Sequence, residues 1–166
     1  MCLSACKITP SRQKQEIKTM NTQIQTGLQQ VLADTYSLMA KTHLYHWNVT
    51  GANFMSLHTQ FQTQYETLFA AADEVAERIR QLGAMVSGGL PAFAQSSNIG
   101  APQATTGEAM LKELAEDHRA MSASLVRFAN LADEADDRIT ADLLTARAAD
   151  HDKTAWMLGA QISIHR

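Results

Sequence analysis

A chain of 166 residues, 45% hydrophobic and with a formal charge of −3, has the size and apolar content of one domain with a substantial core, which leaves no place for a second. Its two cysteines, Cys2 and Cys6, both lie at the very start, so no disulfide framework holds the fold. No run is apolar for the length that a bilayer span needs, and the first residues lack the apolar stretch of a secretory signal, which points to the cytosol and away from membranes.

Residues 1 to 20 read as a basic, flexible arm: Lys7, Arg12, Lys14 and Lys18 stand against Glu16, a net of +3, which leaves −6 for residues 21 to 166. Such an arm suits an anion-seeking tail on a globule that attracts cations, and equally a merely solubilising one. From residue 21 onward Leu28, Val31, Leu32, Thr35, Leu38, Met39, Thr42 and Tyr45 recur at spacings of three and four, which makes one face of a long helix. The pattern stops over residues 48 to 52, where Val49, Thr50 and Gly51 interrupt it. A second helix is expected over 55 to 82, with Leu57, Phe61, Tyr65, Leu68, Ala72, Val75, Ile79 and Leu82 as its core stripe and Gly83 as its stop.

Residues 83 to 107 are rich in Gly, Pro, Ser, Ala and Asn and too long for a turn between adjacent helices. They read as a crossover, with a short helix over 90 to 95. A third helix starts near 106 and carries Leu111, Leu114, His118, Met121, Leu125, Phe128 and Ala132. It breaks at 133 to 138, and a fourth runs from 140 to 164 with Leu143, Ala146, Ala149, Trp156 and Ala160 on its apolar face. Four long helices with short outer links and one long central link describe an all-α, ferritin-like four-helix bundle over residues 21 to 166.

The chain has no glycine-rich phosphate loop, no HExxH and no nucleophile elbow, and its cysteines are confined to the arm. Metal ligation by His43, His46, His58, Asp73, Glu74 or Glu77 is the chemistry left. The larger ferritin-like carboxylate enzymes hold iron inside one bundle with Glu-x-x-His pairs, and this sequence has none. With Leu57 at zero and about 100° per residue, the core stripe of the second helix centres near about 35°, while His58, Gln62, Asp73 and Glu77 fall between about 100° and about 200°. Met55 and Phe69 share that arc, so it is semi-apolar and suits a subunit interface.

His58 and Asp73 lie too far apart on one helix to share an ion, about 22 Å. Antiparallel pairing of this helix with its copy around residues 65 and 66 would bring His58 of one chain to Asp73 and Glu77 of the other, twice per dimer. Imidazole and carboxylate together suit iron. The same residues equally fit a hydrogen-bonded structural histidine and a solvated helix face supported by Arg78 and Arg80. His43, His118 and His151 fit core or supporting positions, and Trp47 and Trp156 fit packing, with added interest in Trp47 because it adjoins His46.

The segments KTHLYHWNVTGANFMSLH at 41 to 58 and DEVAERIRQLG at 73 to 83, with DDRITADLL at 136 to 144 and DHDKTAWML at 150 to 158, resemble the Dps family of mini-ferritins. The resemblance covers essentially everything after the arm. It implies a twelve-subunit shell that oxidises ferrous iron, preferably with hydrogen peroxide, and stores ferric mineral, with His46, His58, Asp73 and Glu77 as ligands shared between subunits. Where the family carries an acid four residues after the second histidine, this chain has Gln62, which brings no charge. The resemblance further implies that Trp47 relays or absorbs an electron, and that the acidic cluster with Asp133, Asp137 and Asp142, by default a solvated junction, lines an iron-entry pore. DNA binding, where the family shows it, often uses lysine-bearing tails, which points to Lys7, Arg12, Lys14 and Lys18. The competing reading is mainly a DNA-condensing structural protein with weak ferroxidase activity, and the acidic body argues against it.

Overall fold

The computed structural model describes the backbone of residues 10 to 162 and the side chains from residue 18 onward. Helix α1 spans Pro10–Asn48, α2 Phe54–Gln81, α3 Leu90–Ser96, α4 Gly107–Glu134 and α5 Arg138–Gly159, and the described residues contain no strand. Helices α1 and α2 form one antiparallel hairpin, α4 and α5 the other, α1 packs on α4, and the short α3 lies against α1. This is the expected four-helix bundle with a helix inside its crossover. No helix among the described residues is long and apolar enough to cross a membrane.

Helix α1 begins at Pro10, eleven residues before the onset expected from the apolar pattern. Proline is tolerated in a first turn because the missing N–H has no intrahelical partner there. Residues 10 to 20, expected within a flexible arm, therefore continue the helix, with Lys18 exposed; residues 1 to 9 lie outside the described part.

Local signals account for the other ends. Gly83 adopts φ 80°, its N–H donates to the Arg80 carbonyl and that of Ala84 to Ile79, a paired closure of α2 that needs a left-handed residue. The Thr106 hydroxyl accepts the Ala109 N–H to cap α4, and the Asp137 carboxylate accepts the Thr140 N–H to cap α5. Between them Asp136 sits at φ 58°, while the Asp137 N–H reaches back to the Ala132 carbonyl. At Gly27 a side-chain carbon would stand 2.5 Å from the Phe128 ring, so glycine is what lets α4 lay that ring on α1.

The core falls into two apolar clusters towards opposite ends of the bundle. One gathers Leu28, Val31, Leu32, Val75, Ile79, Leu125 and Leu144; the other gathers Leu38, Tyr45, Leu57, Phe61, Leu68, Met110, Leu114 and Leu158. Each fully buried side chain of this size contributes about 1.5–3 kcal/mol.

The fourth-helix face departs from expectation. Helix α5 buries Ala141, Leu144, Ala148, His151, Ala155 and Leu158, about one residue around from the expected stripe, and Trp156 is 70% exposed. The buried side sets Leu144 and Leu158 among alanines and His151, and these smaller or polar residues weigh little in an apolar pattern. Trp156, the bulkiest member of the expected stripe, is exposed, as are Ile139 and Met157.

The long crossover is stapled to α1 by polar groups. Asp34, 2% exposed, accepts from the Asn98 N–H at 2.6 Å, the Ser97 hydroxyl at 3.0 Å and the Gln30 amide at 3.1 Å. Gln25, Gln29 and Gln30 donate to the carbonyls of Leu82, Met85 and Ser96. A buried carboxylate is tolerable only when hydrogen-bonded in this way.

Candidate metal centre

His46 sits in the last turn of α1 and His58 early in α2, so the tight link over residues 49 to 53 folds one against the other. The contact is reciprocal. The Nδ1–H of His46 donates to the His58 carbonyl at 2.8 Å, and the Nδ1–H of His58 donates to the His46 carbonyl at 2.8 Å. A carbonyl oxygen only accepts, so each ring carries a proton on Nδ1, and Nε2 is the ring nitrogen left to offer a lone pair to a metal. The rings stack with centroids 3.7 Å apart and 21° between planes. Two imidazoles held in one tautomer by backbone acceptors are prepared as metal ligands before any metal arrives.

The α1 end of this pair is fixed from behind. Tyr45 turns the other way and its hydroxyl donates to Glu113 on α4 at 2.7 Å, while the buried Lys41 bridges Glu113 at 2.9 Å and Asp117 at 2.6 Å. Burial pushes the Tyr45 phenol up to about 12, aided by its bond to Glu113. For Glu113, burial works upward, but hydrogen bonds from Lys41 and Tyr45 and the lysine charge outweigh it and hold the carboxyl below its usual range. For Asp117 burial wins over Lys41, and the carboxyl is raised.

The other expected ligands stand apart from the pair. Gln62 is one turn beyond His58 and exposed, and its amide nitrogen donates to Glu66 at 2.9 Å, an acid whose place beside this position periodicity did not bring out. Asp73 and Glu77 are exposed further along α2, with Asp73 about 22 Å from His58 by helical rise. Among the described residues no three metal-ligating groups of one chain converge. A single subunit thus presents two imidazoles at one place and two carboxylates at another.

Aromatic rings surround the histidines. Tyr65 meets His46 edge to face at 5.4 Å between centroids and stacks on His43 at 4.1 Å. His43 in turn contacts Trp47 at 4.0 Å. Tyr65, expected in the core stripe of α2, is a half-buried member of this cluster, and Trp47 stands at its open end, 63% exposed.

Of the acidic cluster, Asp133 and Asp142 are exposed. The Asp137 carboxylate is committed: Arg78 donates to it at 2.7 Å and the Thr140 hydroxyl bonds it as well. Burial works to raise its carboxyl, but the bonds from Thr140 and the Arg78 charge hold it below the usual range. Of the basic residues, Lys7 lies outside the described residues and Arg12 and Lys14 fall on the first turns of α1.

A second histidine pair lies deeper. His118 on α4 and His151 on α5 are 3% and 2% exposed and share one hydrogen bond between their Nδ1 atoms at 2.8 Å. They border a cavity of about 190 Å³ lined also by Gln64, Thr67 and Arg147. Burial, and then the charge of Arg147, lowers His118 to about 4. Burial and the neighbouring His118 and Arg147 lower His151 to about 2. Both rings are neutral at physiological pH.

The family model for the ferritin-like domain matches residues 25 to 166. A low temperature-induced protein of Nostoc is 38% identical over 136 residues, 79% of this chain and 75% of that protein. The DNA protection during starvation protein 2 of Bacillus anthracis is 33% identical over 142 residues, covering 85% of this chain and 97% of that one. The crystal structure of a Dps protein from Bacillus brevis superposes with a TM-score of 0.85 at 30% identity, over 87% of this chain and 98% of that one.

Proposed function

Because this chain belongs to the Dps mini-ferritins of the ferritin-like family, we propose that it oxidises ferrous iron at sites shared between two subunits and stores the ferric product as mineral inside a twelve-subunit shell. The observation that carries this reading is the reciprocal Nδ1–carbonyl lock of His46 and His58, which leaves two Nε2 lone pairs for a metal. Antiparallel pairing of α2 across a two-fold axis supplies what one subunit lacks, by setting Asp73 and Glu77 of the partner subunit against His46 and His58. The carboxylates offset the charge of the entering ion, and the imidazoles suit both of its oxidation states.

Hydrogen peroxide is the preferred oxidant. Two ferrous ions give it two electrons and two protons complete two waters, so no hydroxyl radical escapes, which protects nearby DNA. Gln62 weakens the second iron position, because its amide supplies a dipole where a carboxylate would supply charge. Trp47, at the open end of the ring cluster, relays an electron when only one iron is bound. Asp133 and Asp142 line the path by which ferrous ions enter the shell, while Asp137 braces that corner through Arg78. The protein acts in the cytoplasm, and any DNA contact runs through the basic start of the chain.

Ferrous titration of the purified oligomer, aerobically and anaerobically, each with and without peroxide, tests this reading. Oxidation should be fastest with peroxide and should fall at least tenfold in His58→Ala and in Asp73→Asn, with the shell intact by size-exclusion chromatography. Wild-type rates in both variants would rule out the shared site.

A further inference from the structure

The rings beside the histidine pair form a connected cluster, in which His46 also contacts His43 at 6.0 Å. His46 contacts Tyr65 at 5.4 Å, Tyr65 stacks on His43 at 4.1 Å, and His43 contacts Trp47 at 4.0 Å. Among the described residues no ring contact joins His46 or His58 directly to Trp47, although Trp47 is the next residue in sequence. The oxidisable side chain that actually touches a proposed ligand is therefore Tyr65, not the tryptophan. The chain has three tyrosines, and the other two face elsewhere: Tyr36 stacks on Phe93 of α3 at 4.9 Å, and the Tyr45 hydroxyl is bound to Glu113.

We infer that Tyr65 is the residue that supplies the second electron when peroxide meets a site holding a single ferrous ion, with Trp47 behind it through His43. The inference rests on the reading of His46 and His58 as iron ligands. Peroxide needs two electrons, and one ferrous ion provides one. Tyr65 gives the other by losing its phenolic hydrogen: one ferrous ion, one hydrogen peroxide and one tyrosine yield one ferric ion, one tyrosyl radical, one hydroxide and one water. The O–O bond breaks, the phenolic O–H breaks, and its proton joins one of the two hydroxides formed. Charge is 2+ on both sides. An electron from Tyr65 crosses one ring contact, to His46, whereas one drawn from Trp47 must first cross His43 and only then reach His46, directly or through Tyr65.

This ordering also suits the low charge at Gln62. A weaker second iron position makes half-filled sites more frequent, and each of them needs a donor to keep the one-electron product of peroxide from diffusing away.

The test loads the assembled protein with one ferrous ion per site, mixes it with excess peroxide, and follows iron oxidation and, by freeze-quench electron paramagnetic resonance, the radical formed per iron oxidised. Wild type should give a tyrosyl signal, and incorporation of ring-deuterated tyrosine should narrow it, which identifies the radical without any substitution. Tyr65→Phe keeps the ring and its stacking but has no phenol to oxidise, so the tyrosyl signal should be lost; Trp47→Phe should keep it. A wild-type protein that oxidises no iron overturns the proposed function, and this inference with it. Normal iron oxidation overturns the Tyr65 assignment alone if no protein radical forms, if deuterated tyrosine leaves the signal unchanged, or if the signal is as strong in Tyr65→Phe.

Discussion

Acid should loosen this bundle from the inside, through the buried His118–His151 pair. In the unfolded chain both rings have the ordinary histidine value, near 6.5. In the fold His118 is lowered to about 4 and His151 to about 2, in both cases first by burial. Above about pH 6.5 both states are neutral, and the pair contributes nothing to pH dependence. Below it the unfolded chain takes up protons that the folded chain refuses, so stability falls with pH down to the folded values. At pH 5 the gap is about 1.5 units per ring, or about 2 kcal/mol each and about 4 kcal/mol for the pair.

Each ring is nearly fully buried, so solvent screening does little to reduce this. One hydrogen bond already joins the two Nδ1 atoms, and doubly charging the pair would set two cations about 3 Å apart. The assay is denaturant unfolding of the assembled protein at pH 7 and pH 5, for wild type and for the His118→Gln/His151→Gln double variant. Histidines shared by both proteins cancel in the difference. Wild type should lose about 4 kcal/mol more than the variant between the two pH values. Equal losses would show that the buried pair accepts protons in the fold and that the reasoning from burial fails.

Gln62→Asp should tighten anaerobic ferrous binding measured by calorimetry, since it places a second carboxylate beside Glu66 where the amide now donates at 2.9 Å; unchanged or weaker binding would mean that position 62 does not face the metal. Asp34→Ala should lower stability by about 3 kcal/mol, because the Asn98 N–H and the Ser97 hydroxyl lose a buried acceptor, and a loss under about 1 kcal/mol by denaturant melt would show that the crossover is held by other contacts. A chain beginning at Met20 should keep its ferroxidase rate and lose salt-sensitive retardation of duplex DNA, because Lys7, Arg12, Lys14 and Lys18 go with the removed segment; twelve weak arms on one shell act together. Retardation as strong as in the full chain would assign DNA binding to another surface.

The amino-acid sequence by itself determined the number and order of the helices, the crossover with its small helix, and the stop at Gly83, because each is a local matter of period, breaker or backbone conformation. It also singled out His46 and His58 and showed that Asp73 and Glu77 could not reach them within one chain, since that needs only the rise of a helix. It did not determine which face α5 turns inward. There Leu144 and Leu158, spaced by alanines and His151, face inward while Trp156 stays exposed, because small residues let the helices pack closely, and volume matching is a property of all four helices together.

The tautomer of the histidine pair was beyond reach for the same reason. It depends on carbonyls that the link between α1 and α2 brings within 2.8 Å of each ring. Asp34 carries no periodic or motif signal, and Tyr65 carries only that of the core stripe. Their roles come from partners distant in sequence, the crossover for Asp34 and the rings of His43 and His46 on α1 for Tyr65, which only folding brings together.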